Sequence, residues 1–281
     1  MTSADDIIRN VRDLPSLPAI VAELLATMEQ EDIDTHVLAA RITHDQALTA
    51  KTLRLANSSF YGLQSKVTSI AQAISVLGFH SIRTLVTACS VTASFTPRPG
   101  SQFDFGAFWR HATAGAVCAR VLARHLRVNV DTAFTAGLLH DLGTLVLVTR
   151  LPAEYAQVSA WQREHDCTVA AAEQALFGTD HAAVGAALAA HWKFPQQIQA
   201  AVGEHHMLLP DDTMAPANLT TVIQAANVLA HALDLGGAEH DQAPPLSLAV
   251  WRAFALDNEG WNAVFGEAEG LFQEMSGAMT P

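Results

Sequence analysis

Cysteine, tyrosine and positive charge are scarce in this chain, and each shortage excludes something. The three cysteines, Cys89, Cys118 and Cys167, are far apart and set in apolar helical patterns. An odd, scattered set builds neither a disulfide frame nor a CxxC metal site. They read as reduced core thiols, and the expected localisation is cytoplasmic. Sixteen Lys plus Arg face 28 Asp plus Glu, a formal charge of −12. A general nucleic-acid or anionic-membrane binder needs a basic face, so neither partner is expected. No uninterrupted apolar run approaches about eighteen residues, so no membrane span is expected either. The opening MTSADDIIRN is acidic, without the basic and then apolar regions of a signal peptide. Only 16% of residues are charged while 50% are hydrophobic, which excludes global disorder and leaves ample core for 281 residues.

Strand alternation is missing as well, and the fold class expected is all-α. Ala is abundant and β-branched runs are short, both of which favour helix. LPSLP, from Leu14 to Pro18, is a stiff turn that opens a helix from Ala19 to Glu29. Asp34 or Thr35 can cap the next helix, and Thr68 or Ser69 caps SIAQAISVLG, which Gly78 ends. NSSFYG interrupts the helical pattern from Asn57 and should pack between helices, because Leu55, Phe60 and Tyr61 bring apolar area to a turn. Asp131 starts DTAFTAGLLHDLG, with Gly143 ending or bending it, and Pro152 opens a helix to His165. A helix is expected over Ala217–Leu235, and two short ones between Leu246 and Met275. FTPRPGSQ is the clearest linker. It divides an N-terminal helical half, 14–94, from a second half, 103–236, followed by a tail, 237–281.

What the chain has in plenty is histidine, thirteen in all. A helical histidine is more often structural or exposed than a ligand. His36, His44, His80, His125, His165, His231 and His240 show no sign of convergence. His191 lies ten residues after His181, about 80° off its face at 100° per residue. Five others sit differently. His140 and Asp141 lie in AGLLHDLG, a buried type of helix where a carboxylate is costly unless something positive pairs with it. A divalent metal is one such partner, and an arginine is another. His181 shares a stripe with Gly185, Leu188 and Trp192. His205 and His206 form a vicinal pair at a helix end, and His111 follows Phe108 and Trp109. Together these residues suggest a metal cluster.

LRLANSSFYG and SIAQAISVLG, in that order within residues 44–86, resemble the signature of the HDOD domain, a branch of the HD phosphohydrolase superfamily. FWRHA, AGLLHDLG, HAAVGAALAAHWKFP and AVGEHH follow in family order. The resemblance implies a multi-helix fold with an HD-type helical core and a role in bacterial signalling or regulation. Comparison with HD and HD-GYP enzymes implies a ligand set of His111, His140, Asp141 as the bridging carboxylate, His181, His205 and His206. Asn227 stands where the superfamily carries a late aspartate, and would be a weak ligand, making the ion shared by His111 and His140 the looser one. Thr144 stands where HD-GYP enzymes carry a lysine, and Met207 and LLPDD replace their Glu and Gly-Tyr-Pro loop. The metal-binding imidazoles are thus retained while the catalytic surroundings are not.

The function expected is a non-catalytic signal-transduction or regulatory module that binds signalling proteins through its helical surface. A divalent metal of the Fe, Mn or Zn class is the expected cofactor, with no nucleotide cofactor and no catalytic residue; oligomerisation is left open. The alternative is a metal-dependent phosphohydrolase acting on a cyclic dinucleotide such as cyclic di-GMP. A third reading is a structural bundle whose histidines hydrogen-bond within the core.

Overall fold

Short polar side chains set where the helices begin. The side-chain oxygens of Asp45, Ser69, Asp104, Asn129, Thr168, Asp180, Asn218 and Ser247 each accept the backbone N–H three residues on. Each such cap is worth typically about 1 kcal/mol. A computed structural model describes residues 17, 19–26, 35–95, 103–237 and 242–279, and among them every regular element is helical. Most of the LPSLP turn, the Asp34 cap, the end of the helix expected to reach Glu29, His240 and nearly all of the 95–102 linker lie outside the described residues.

The first half comprises α1 (Ala19–Ala26), α2 (Thr35–His44), α3 (Gln46–Ala56), α4 (Ile70–Leu77) and α5 (Phe79–Ser94). The second comprises α6 (Phe105–Ala123), α7 (Val130–Leu139), α8 (Leu142–Arg150), α9 (Pro152–Tyr155), α10 (Val158–His165), α11 (Val169–Phe177), α12 (His181–His191), α13 (Gln196–Gly203) and α14 (Leu219–Ala232). Two helices follow, α15 (Leu248–Ala253) and α16 (Asn258–Met279). The centre of the fold is α6, which is buried nearly all round, as a core helix must be. Helices α7, α14 and α16 pack directly on it. The approach of α7 to α6 is close enough that a Cβ on Gly137 would lie 2.6 Å from the Gly115 carbonyl oxygen.

The NSSFYG segment joins the two halves. Asn57 closes its loop, with Nδ2 donating to the carbonyls of Leu53 and Val67 and Oδ1 accepting from the Val67 N–H. That places Phe60 in the core, 5.9 Å between ring centroids from Phe134 of α7. The Arg120 guanidinium of α6 lies 5.0 Å from the Phe60 ring centroid and pairs with Asp131 at 3.2 Å. Helix α16 then packs on α6, on α3 and on the turn Ser59–Tyr61, so it spans both halves.

Several boundaries differ from the sequence reading. Asn129, not Asp131, caps α7, because its side chain reaches the Thr132 N–H. Likewise Asn218 starts α14 at Leu219, two residues after the expected Ala217. The chain breaks at His140 and Asp141, while Gly143 lies inside the first turn of α8. Pro152 opens only a four-residue helix before α10, and the second tail helix is long, at 22 residues. Val130–Arg150, interrupted at His140 and Asp141, has the length and apolar composition to cross a membrane, but 83% of its most apolar window is buried inside the fold, as in a core helix.

Burial governs Cys89 and Cys118 too, while Cys167, expected in the core, is only half-buried. Burial pushes Cys89 up to about 11 and Cys118 up to about 12. The thiolate is the nucleophile, so both should resist iodoacetamide at pH 8 in the folded chain and react fully once it is denatured. Rapid native labelling of Cys118, read by peptide mass spectrometry, would contradict the packing around α6.

Candidate metal centre

Six helices or their ends deliver side chains to one point. His111 comes from the middle of α6 and Asn227 from α14. His140 and Asp141 occupy the break between α7 and α8, and His181 begins α12. His205 and His206 lie in the turn after α13, which Gln224 holds by donating to the carbonyls of Glu204 and Met207. Asp141 stands at the N-cap position of α8 but makes no capping bond there. Its carboxylate faces the imidazoles.

The two carboxylate oxygens divide the cluster into two pockets. In the first, Oδ2 of Asp141 is 3.3 Å from Nε2 of both His111 and His140. Those two nitrogens are 3.3 Å apart, and each is 3.2 Å from Oδ1 of Asn227. In the second, Oδ1 of Asp141 is 3.3 Å from Nε2 of His181 and 3.4 Å from Nε2 of His205. Nε2 of His181 is in turn 3.3 Å from that of His205 and 2.9 Å from that of His206. A tetrahedron with edges near 3.3 Å has its centre about 2.0 Å from each corner, the distance of zinc-class ions from His and carboxylate ligands.

Lone pairs make the case for a cation. Nδ1 of His140 lies 2.7 Å from the Gly137 carbonyl, and Nδ1 of His205 lies 2.6 Å from that of Val202. A carbonyl only accepts, so Nδ1 carries the proton and Nε2 of each neutral ring is bare. Nδ1 of His181 donates likewise to Glu173, at 2.6 Å. With these rings neutral, bare nitrogens face the Asp141 oxygens and one another. Acceptors in contact need a proton or a metal ion between them, and this donor set fits a divalent ion. Nδ1 of His111 has no hydrogen-bond partner among the described residues, so its tautomer is not set in this way.

Without an ion, protons take its place in these contacts. Burial raises the Asp141 carboxyl, but His140 and N–H groups of His111, His140 and His181 donating to it hold it well below the usual range. Burial pushes His205 down to about 4, and burial with the neighbouring His205 and His181 also lowers His206. His181 goes the other way, since Glu173 and Asp141 outweigh its burial and hold it well above the ordinary histidine value. The pocket thus keeps His205 and His206 in the neutral form a metal requires.

Comparison with known proteins places this geometry in a family. The HDOD domain model matches residues 14–208. The chain belongs to the HDOD domain family. That match includes His111, His140, Asp141, His181, His205 and His206, while Asn227 lies beyond it. The fold is similar to that of a candidate phosphohydrolase from Shewanella amazonensis SB2B, 29% identical, with TM-score 0.78 over 99% of this chain and 98% of that one. It is also similar to an HDOD domain protein from Geobacter sulfurreducens, 23% identical, with TM-score 0.77 over 99% and 98%. A protein of Treponema pallidum (strain Nichols) is 24% identical over 251 residues. This chain is covered to 89% there and spans about half, 48%, of that relative.

Sequence reasoning passed over three contributors to this HDOD site. Glu173, fully buried, accepts from both the backbone and the ring of His181. The ring of His231, set aside as unconvergent, lies 4.3 Å from that of His111. Its position four residues after Asn227 on one helix was the available signal. Gly143 is the third, because a Cβ there would fall on the His181 carbonyl oxygen and lie 2.6 Å from the Gly185 N. The backbone contact of α8 with α12 is what seats Asp141 beside His181. Gly143→Ala should therefore lower unfolding free energy by at least about 1–3 kcal/mol in denaturant titrations. An unchanged midpoint would mean that these helices are not in backbone contact.

Proposed function

We propose that this chain is a regulatory HDOD module that holds divalent metal through His111, His140, Asp141, His181, His205, His206 and, more weakly, Asn227, and that it acts without catalysis. The observation behind this is that each pocket presents four protein ligands, three imidazoles with Asp141 in one, two imidazoles with Asp141 and Asn227 in the other. Four protein ligands close a tetrahedral shell, as in structural sites, whereas catalytic zinc sites keep a position for water. The lysine and the Gly-Tyr-Pro loop of the resembled enzymes are also missing from the corresponding positions. Thr144, where the resembled enzymes carry lysine, is buried. Metal would fix the relative positions of α6, α7, α12, α13 and α14, and signalling proteins would read the resulting helical surface.

The second reading is a metal-dependent phosphohydrolase, the class named for the Shewanella amazonensis relative. One observation favours it: the Asp141 side chain is 16% exposed, so the cluster has an opening. An ion preferring six ligands would keep open positions there, and its chemistry would be polarisation of a phosphate and activation of water. His111, His140, Asp141 and the His181 group would then hold such ions and orient them, with no neighbouring lysine to stabilise charge on the phosphate.

Elemental analysis of untagged protein purified without added metal should find a bound divalent ion, and Asp141→Ala should abolish its retention. Full metal content in that variant would refute the site. Metal-loaded protein should hydrolyse cyclic di-GMP no faster than roughly 10⁴–10⁶-fold below an intact enzyme, the loss expected for two missing electrostatic groups if they act independently. Steady turnover that disappears in His140→Ala would establish the enzyme instead.

A further inference from the structure

Glu173 is a charged residue in the interior with no part in either ligand set. Its side chain is fully buried in α11, and one of its oxygens accepts two hydrogen bonds from one residue. Oε2 takes the His181 backbone N–H at 2.8 Å and the His181 Nδ1–H at 2.6 Å. Oε1 takes the Tyr155 hydroxyl at 3.0 Å. A buried carboxylate with three donors stays in place, and a Tyr from α9 and the start of α12 hold it on opposite sides. The ring of His181 is thereby fixed in tautomer and direction, with Nε2 aimed at Oδ1 of Asp141.

The two pockets differ sharply in this support. Behind the second stand Glu173 on His181, the Val202 carbonyl on His205 and Gln224 on the turn carrying His205 and His206. Behind the first, only the Gly137 carbonyl braces His140, while Nδ1 of His111 and Nδ2 of Asn227 have no partner among the described residues. Charge follows the same division. Asp141 is the single carboxylate among the ligands of both pockets, and Asn227 adds none. Glu173 supplies a second negative charge, and it does so through His181 alone.

We propose that Glu173, with Tyr155 behind it, is a positioning residue that makes the His181, His205, His206 and Asp141 pocket the tight site, filled first, and leaves the His111, His140 and Asn227 pocket as the exchangeable one. This rests on the metal-binding reading above. Carboxylate partners of metal-bound histidines act in this way generally, by raising ligand basicity and locking ring orientation.

The test titrates Co²⁺ alone into metal-free full-length protein, followed by visible absorption and by calorimetry. Wild type should bind in two steps of unequal affinity, and Asp141→Ala should bind in neither. Glu173→Gln should weaken the tight step by about 10–100-fold and shift its Co²⁺ absorption bands, with the weaker step unaltered. Tyr155→Phe should weaken the same step by a smaller factor, and it decides the matter if Glu173→Gln fails to fold. Wild-type affinity and spectrum in the folded Glu173 variant, or in the Tyr155 variant where that one is unfolded, would overturn the role of Glu173 while the Asp141 result keeps the metal centre. Absence of Co²⁺ binding by wild type would overturn both.

Discussion

A carboxylate placed among imidazoles in a protein interior cannot be left without positive charge, and the architecture around Asp141 follows from that constraint. Removing an ionised carboxylate from water costs several kcal/mol even after relaxation, unless partners replace the lost solvation. Here the partners are ring nitrogens contributed by helices far apart in sequence, from His111 to His206. The rings of His140, His181 and His205 are in turn oriented by the backbone or side chain behind them, so the cluster and the helix packing specify one another. The glycines at 115, 137, 143 and 185 belong to the same arrangement, because only close helix contacts bring these rings within about 3.3 Å of one carboxylate.

The two halves of the molecule depend on this core in different ways. The second half carries every member of the cluster, and its central helix α6 contributes both His111 to the cluster and Arg120 to the junction. The first half reaches that junction through the loop that Asn57 closes and Phe60 plugs. An ion that stiffened α6 and α7 would be felt at Arg120 and Asp131, which hold the NSSFYG turn. Under the proposed regulatory role, this is a physical route from the interior to the surface that needs no chemical step.

Much of this was legible in residues taken in order. The cap at Ser69, one of the two residues expected there, and the helical periods mark most elements, because capping and periodicity are local. Asp131 reads as a helix start in place of Asn129, and the helix that Asn218 caps is expected from Ala217, because a cap depends on which side chain reaches an open backbone N–H. The histidines and Asp141 were singled out partly by their apolar settings and partly by family resemblance. Glu173 was not, because AAAEQALF reads as an ordinary amphipathic stretch whose acid faces water. Its burial depends on His181 and Tyr155 arriving from other helices, which no local pattern announces. Gly143 looked like a helix terminator for a similar reason, as its close contact is with a backbone forty residues later.

The proposed metal would sit between imidazoles and a shared carboxylate at the break between α7 and α8. X-ray absorption at the edge of whatever ion copurifies with the chain tests it directly. A first shell of nitrogen and oxygen at about 2.0–2.2 Å, with outer-shell scattering from two or three imidazole rings, is the result that follows from this structure. An ion surrounded only by water-like oxygens, with no imidazole signal, would contradict it.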